Sequence, residues 1–282
     1  MMRSSSARFR VLRVGQHLAL VAYLFFLGFP LLWLISVSLK GPRELVSIHP
    51  SLIPQNIVWE NFGLALSNQA LLRSAGNSLV VSVASMVLVT VVAVPSAYAL
   101  TRFIHRMRTA ASVWILISQV FPVVLIVIPV FMILKALNLL NSLGGLTLIY
   151  LVWMLPFALW MLMGFVAGIP LELEEAAEVD GAGQMRVVFS VVLPLLAPGI
   201  VATALFTFIS CWSEFFFALV LLGDPEKETI SLSLAKYVGT EGLIQLGPLA
   251  AGSLMATVPS LVFFAFMQRR LTSGLLAGSI KG

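Results

Sequence analysis

The sequence predicts an all-α, polytopic membrane protein, and three observations point there: the composition, the number of long apolar segments and the placement of the charges. Of the 282 residues, 60% are hydrophobic and 10% charged, with a mean hydropathy of +1.03, far more apolar than an ordinary soluble domain. Six segments reach the roughly 20 apolar residues that a helix needs to cross a bilayer: residues 17–39, 77–100, 111–134, 146–169, 195–222 and 248–267. Apart from Glu214, none carries a formal charge. Spanning helices satisfy their own backbone hydrogen bonds, and the long polar alternation of a membrane barrel is missing.

Residues 1–16 hold Arg3, Arg8, Arg10 and Arg13 ahead of the first span. They resemble the charged start of a signal peptide, but the apolar run that follows is too long and no small-residue cleavage site appears. The connection 40–76, with Pro42, Pro50 and Pro54, and the connection 223–247, with Asp224, Pro225 and Glu226, are placed outside. Each reads equally as an ordered loop or as a surface for a partner. The connection 101–109 carries Arg102, Arg106 and Arg108 and no acid, which places it in the cytoplasm. With both termini also cytoplasmic, eleven of the seventeen basic residues fall inside. Residues 17–268 are then one six-helix transmembrane domain, and 269–282 a cytoplasmic tail. Pro30, Pro95, Pro122, Pro129, Pro156 and Pro259 interrupt the spans and favour kinks.

The most informative connection is 170–194. Pro170 starts a helix well, and Glu172, Glu174 and Glu175 complement the positive end of its dipole. Gly181 supplies a stop, because glycine accepts the left-handed conformation that often closes a helix. A second short amphipathic stretch, 184–192, leads through Leu193 and Pro194 into the fifth span. The physical reading is a helix, turn, helix at the inner membrane surface, with solvated acids.

The run Glu175, Ala176, Ala177, Asp180, Gly181, Val191, Leu193, Pro194 resembles the cytoplasmic EAA motif of ATP-binding-cassette importer permeases, closest to the maltose-type carbohydrate family. The glycine stands six residues beyond the glutamate, as in the motif, and Val191 stands where isoleucine is frequent. Similar to the family, too, are Asn61, Phe62, Asn77, Ser78, residues 97–100 with Arg102, Pro122, Pro129, Pro156, Phe157, residues 212–215 and the ending 274–282. The resemblance implies a bacterial inner-membrane permease for a sugar delivered by an extracytoplasmic binding protein. It would work beside a second, homologous permease chain and an ATPase dimer that binds ATP and Mg2+. Glu174, Glu175, Ala176, Ala177, Asp180 and Gly181 would form the coupling helix against the ATPase, and Lys281 and Gly282 would reach the same interface. The chain has no GxxxxGK[ST] loop of its own, so this resemblance implies a transport subunit and not an enzyme, with no cofactor or metal held by the chain.

Glu214 is expected to face the bundle interior, since a charge at mid-bilayer costs at least about 2.5 to 3.5 kcal/mol. Phe206, Ser210, Glu214 and Phe217 fall on one helical face of the fifth span, a mixture of rings and hydrogen-bonding groups suited to a sugar. Equally, Glu214 bonds across helices to lock the bundle, or contacts the sister permease. Trp153 and Trp160 read first as packing or lipid-facing residues.

Other classes are less well served. The basic residues flank apolar spans and form no aromatic-interleaved patch, which argues against nucleic acid. A proton-coupled secondary transporter using Glu214 would be expected to show paired repeats, and an importer of polyol or glycerol-phosphate compounds remains an alternative cargo class. An intramembrane enzyme lacks a second membrane acid, and His17, His49 and His105 lie at span ends or in loops. Cys211 is a lone cysteine and reads as a buried hydrophobe.

Overall fold

The computed structural model describes residues 4–103, 105–237 and 245–278. Among the described residues the chain forms helices and no strands: α1 Ser4–Ser38, α2 Pro42–Leu45, α3 Glu60–Ser67, α4 Gln69–Arg102, α5 His105–Val120, α6 Val123–Ala136, α7 Leu143–Ala167, α8 Glu172–Val179, α9 Gln184–Val187, α10 Leu193–Ser213, α11 Phe216–Leu221, α12 Ile230–Ala235 and α13 Leu246–Gly278. A π-helical segment, Val188–Val192, joins α9 to α10. The chain divides into two compact units, Met1–Asn68 with Tyr237–Met255, and Gln69–Lys236 with Ala256–Gly282.

In the first unit, the apolar stretch Arg13–Ser38 of α1 is long enough to span a membrane and buries none of its most apolar window within the chain. The connection after it is ordered by two polar side chains. Asn61, buried, donates from Nδ2 to the Ser38 and Lys40 carbonyls at 2.9 Å each. Its amide packs so closely on Gly247 that a Cβ there would lie 2.5 Å from Asn61 Oδ1. Glu44 accepts from the Ser51 hydroxyl at 2.8 Å and from the Gln55 amide at 3.2 Å. Lys40 is buried with its ammonium 4.8 Å from the Trp33 ring centre, donating to the Ser51 carbonyl.

The second unit is built on α4, α7 and α10, which pack on one another. α4 turns a stripe of Ser78, Val81, Ser82, Ser85, Val89, Ala93 and Ala97 inward at three- and four-residue spacing, and such small side chains let membrane helices approach closely. Ala97, Ala93, Tyr150, Ala158, Leu162 and Leu196 lie at the centre, each 1% exposed or less. The turn into α7 has Asn138 and Asn141 at φ of 55° and 54°, a conformation asparagine tolerates better than most residues. Ser142 caps α7, accepting from the Gly145 amide at 3.0 Å.

Two of the six expected spans are not continuous helices. Five described helices are long and apolar enough to cross a membrane unbroken. The third span, expected as 111–134, is a pair, Thr109–Val120 and Val123–Ala136, bent by 96°. The break falls at Phe121 and Pro122. Proline offers no amide, its ring crowds the preceding turn, and it disfavours the helical conformation in the residue before it. Pro30, Pro95, Pro129, Pro156 and Pro259 are instead carried inside their helices.

The fifth span begins earlier and ends earlier than 195–222. Its helical course runs from Gln184 to Ser213, so the expected second surface helix is the start of the span itself. The π-segment lies just before Pro194, where a widened turn makes room for a ring with no amide to give. The helix then stops, with Glu214 extended at ψ 136°, and restarts as α11.

Candidate functional site

Two features of the second unit gather the chemistry that the sequence singled out: the α8 region and the break at Glu214. α8 follows Gly168 and Pro170 closely. Its first hydrogen bonds run from the Leu173 amide to the Pro170 carbonyl at 3.3 Å and from the Glu174 amide to Leu171 at 2.9 Å. It ends in a complete Schellman closure. The Ala182 amide donates to the Ala177 carbonyl at 3.0 Å and the Gly181 amide to the Glu178 carbonyl at 2.9 Å, while Gly181 takes φ +87°. Only glycine enters that region freely, which is why the motif needs one there.

The closure sorts the α8 side chains into two faces. Glu175, Ala176, Glu178, Val179 and Asp180 are exposed, Val179 by 88%. Ala177 and Ala182 pack against the core. Glu174, grouped by sequence with the partner-facing residues, points the other way. It is 5% exposed, and its carboxylate receives the Tyr98 hydroxyl at 2.7 Å on Oε2 and Arg102 Nε at 2.8 Å on Oε1. Arg102 Nη2 lies 2.8 Å from the same Oε1 and also donates to the Ile169 carbonyl at 2.7 Å. The correction has a plain cause: a carboxylate at that turn of α8 faces the end of α4, where a buried arginine can pair it.

Glu214 finds its partner within the chain. Its Oε2 accepts from the Tyr150 hydroxyl at 2.7 Å and from the Ala218 amide at 3.2 Å, and its Oε1 from the Phe217 amide at 2.8 Å. The carboxylate therefore supplies acceptors to orphan amides of α11 and ties that helix to α7. These are bonds of the cross-helix kind that one of the sequence readings of Glu214 described.

The single face of Phe206, Ser210, Glu214 and Phe217 does not form, because the helix ends at Ser213. Phe206 and Ser210 remain on α10, Phe206 45% exposed and stacked on Phe157 with ring centres 4.1 Å apart. Phe217 belongs to α11, is 1% exposed and meets Trp153 edge-on at 6.0 Å. Lys281 and Gly282 lie outside the described residues.

Sequence reasoning gave no functional role to Tyr98, Arg102 or Tyr150, using Arg102 as a topology marker and, with residues 97–100, as a point of family resemblance. A signal existed for the first pair: Tyr98 and Arg102 stand four apart, on one face of α4, just before the connection that must turn back toward α8. Between α4 and α10, Val91, Val94, Tyr98, Val188, Val192 and Leu196 line part of an apolar groove of about 630 Å3. At the far end of α4, Asn77 donates from Nδ2 to the Glu226 and Glu228 carbonyls at 2.9 Å each, and Arg73 meets Glu226 at 2.7 Å. In the same loop the Glu226 amide, donating to Asp224 Oδ1 at 2.9 Å, holds the Asp224 carboxyl below the usual range, with Lys227 and Arg73 adding to it.

Residues 90–271 match the family model described as binding-protein-dependent transport system inner membrane component. A protein of Streptomyces antibioticus named only as an ABC transporter permease is 50% identical over 229 residues, covering 81% of this chain and all of its own length. The diacetylchitobiose uptake system permease protein DasC of Streptomyces coelicolor is 36% identical over 270 residues, covering 96% of this chain and 98% of its own. Among solved structures, a bacterial ABC transporter involved in the import of the acidic polysaccharide alginate contains a chain of the same fold. Its TM-score is 0.77 at 23% identity, covering 95% of this chain and 98% of that one.

Proposed function

The chain belongs to the family of binding-protein-dependent transport system inner membrane components, and from that membership we propose that it forms the translocation path for a sugar or oligosaccharide. It is a permease subunit, and the ATPase of such a transporter is a separate subunit. A sugar as cargo is supported by the diacetylchitobiose relative, which aligns with almost the entire chain. An extracytoplasmic binding protein delivers the sugar, an ATPase dimer holding ATP and Mg2+ drives the cycle, and a second permease completes the path. The membrane is a bacterial inner membrane, with both termini and α8 on its cytoplasmic side.

One observation carries the coupling part of this reading. α8 presents Glu175, Ala176, Glu178, Val179 and Asp180 outward on a closed, capped helix, an exposed apolar and acidic surface that no described residue of the chain covers. Exposed apolar surface of this kind fits another protein better than water. Glu175 pairs with a basic residue of the ATPase, and Ala176 allows close approach.

The test is affinity purification of the tagged chain, expressed with its native membrane partners, in wild-type and Glu175→Lys forms. The wild type retains an ATPase and a second permease, and Glu175→Lys loses the ATPase while keeping the permease. Recovery of the ATPase with Glu175→Lys at the wild-type ratio would overturn the docking role of α8.

A further inference from the structure

We propose that Tyr98, Arg102 and Glu174 form a rigid joint that makes the C-terminal end of α4 follow α8, so that they act as positioning residues for the transport stroke. The inference rests on the coupling reading above and goes beyond it, because it assigns a path for the motion after docking.

Backbone contacts alone hold α8 loosely. Its backbone neighbours are α9 and the π-segment. On either side the chain passes through glycines, Gly168 before it and Gly181 and Gly183 after it, whose backbones bend most easily. A push on the exposed face could therefore tilt α8 about those two points and leave α4 where it stands. What prevents this is side-chain chemistry. Glu174 reaches α4 through Tyr98 and Arg102, and Arg102 also holds the Ile169 carbonyl just after α7.

One guanidinium thus gathers the ends of two spans and α8 at a single point. The joint is stiff for three reasons. Its side chains are largely out of water, Arg102 13% and Glu174 6% exposed, so the attraction is little screened. Both carboxylate oxygens are engaged, which fixes the orientation of the group as well as its position. The Tyr98 ring is held edge-on by Phe103 at 5.6 Å. Since α4 packs on α7 and α10, displacement of its end is delivered to the helix that lines the apolar groove.

The test uses the whole complex with its ATPase and second permease in lipid, and needs no knowledge of the sugar. A cysteine at Val94, in the groove, is modified with a small methanethiosulfonate, first without nucleotide and then trapped with ATP and vanadate. Val94→Cys alone gives a rate that depends on trapping. Adding Glu174→Gln brings the ratio of the two rates toward one, a loss of about fivefold or more, the lower range of typical coupling between sites. ATPase recovery and vanadate trapping persist. Tyr98→Phe, which keeps the ion pair and removes the phenol's bond, and Arg102→Lys, which keeps a cation but loses the guanidinium's fork across Glu174 and the Ile169 carbonyl, lie between the two. They decide the matter if Glu174→Gln assembles poorly.

A wild-type ratio in both graded variants, or in an assembled Glu174→Gln complex, would overturn the joint and leave the docking role of α8 standing. A rate that ignores trapping even without joint substitutions, or that still follows it in Glu175→Lys, would overturn the coupling reading itself.

Discussion

Glu214 shows how one side chain can end a helix and still belong in a membrane. A carboxylate there is tolerable only if its oxygens are engaged, and they receive three donors, from Tyr150, Phe217 and Ala218. The group therefore stabilises the break between α10 and α11. Glu214→Gln keeps the shape and an acceptor for the Phe217 amide, and its own amide can donate to the Tyr150 oxygen, so that only the bond from the Ala218 amide is lost. Glu214→Ala leaves the Tyr150 hydroxyl and two amides without their acceptor, at about 1–3 kcal/mol for each buried group stranded. The melting midpoint in detergent should fall far more for Ala than for Gln. Equal losses in the two variants would show that charge, and not hydrogen bonding, holds the break.

At the scale of elements, close packing is set by a few contacts, and Gly199 makes one of them. A Cβ at that position of α10 would lie 2.5 Å from Phe165 Cγ and 2.9 Å from its Cβ. The near end of the ring is too short a lever to swing aside, so Gly199→Ala must push α7 and α10 apart, at about 1–3 kcal/mol. Gly199→Ala should lower the melting midpoint, and adding Phe165→Ala should recover part of that loss. A double variant no better than the sum of its parts would place the strain elsewhere. The same elements show what could be read from sequence. Helix class, the α8 boundaries and the Gly181 stop followed from apolar length, acids at a helix start and the conformational freedom of glycine. The break at Pro122 and the stop at Ser213 did not, because prolines at Pro30, Pro95 and Pro156 sit within unbroken helices. What separates them is tertiary: a hydrogen-bonding carboxylate at Glu214, visible only once Tyr150 is beside it. The inward turn of Glu174 was likewise hidden, since its partners lie more than seventy positions earlier in the chain.

For the second unit as a whole, α4 sets the frame by carrying a polar bracket at each end. Near its start, Arg73 and Asn77 hold the loop at Glu226 and Glu228. Near its finish, Tyr98 and Arg102 hold Glu174. The two arginines stand about 44 Å apart along the axis at about 1.5 Å per residue, which matches a bilayer of about 40–45 Å with its headgroup regions. Between them α4 is free of formal charge. We propose that the brackets mark opposite membrane faces, with the Arg102 end, where arginine is enriched, on the cytoplasmic side. Single cysteines at Glu178 and at Lys227 test the assignment in the Cys211→Ser background. An impermeant maleimide applied to intact spheroplasts should label Lys227→Cys, and Glu178→Cys should be labelled only in inverted vesicles. The reverse pattern would invert the topology and remove α8 from the reach of a cytoplasmic ATPase. Labelling of both sites from one side would mean that α4 does not cross the bilayer, and the α4 frame would fail with it.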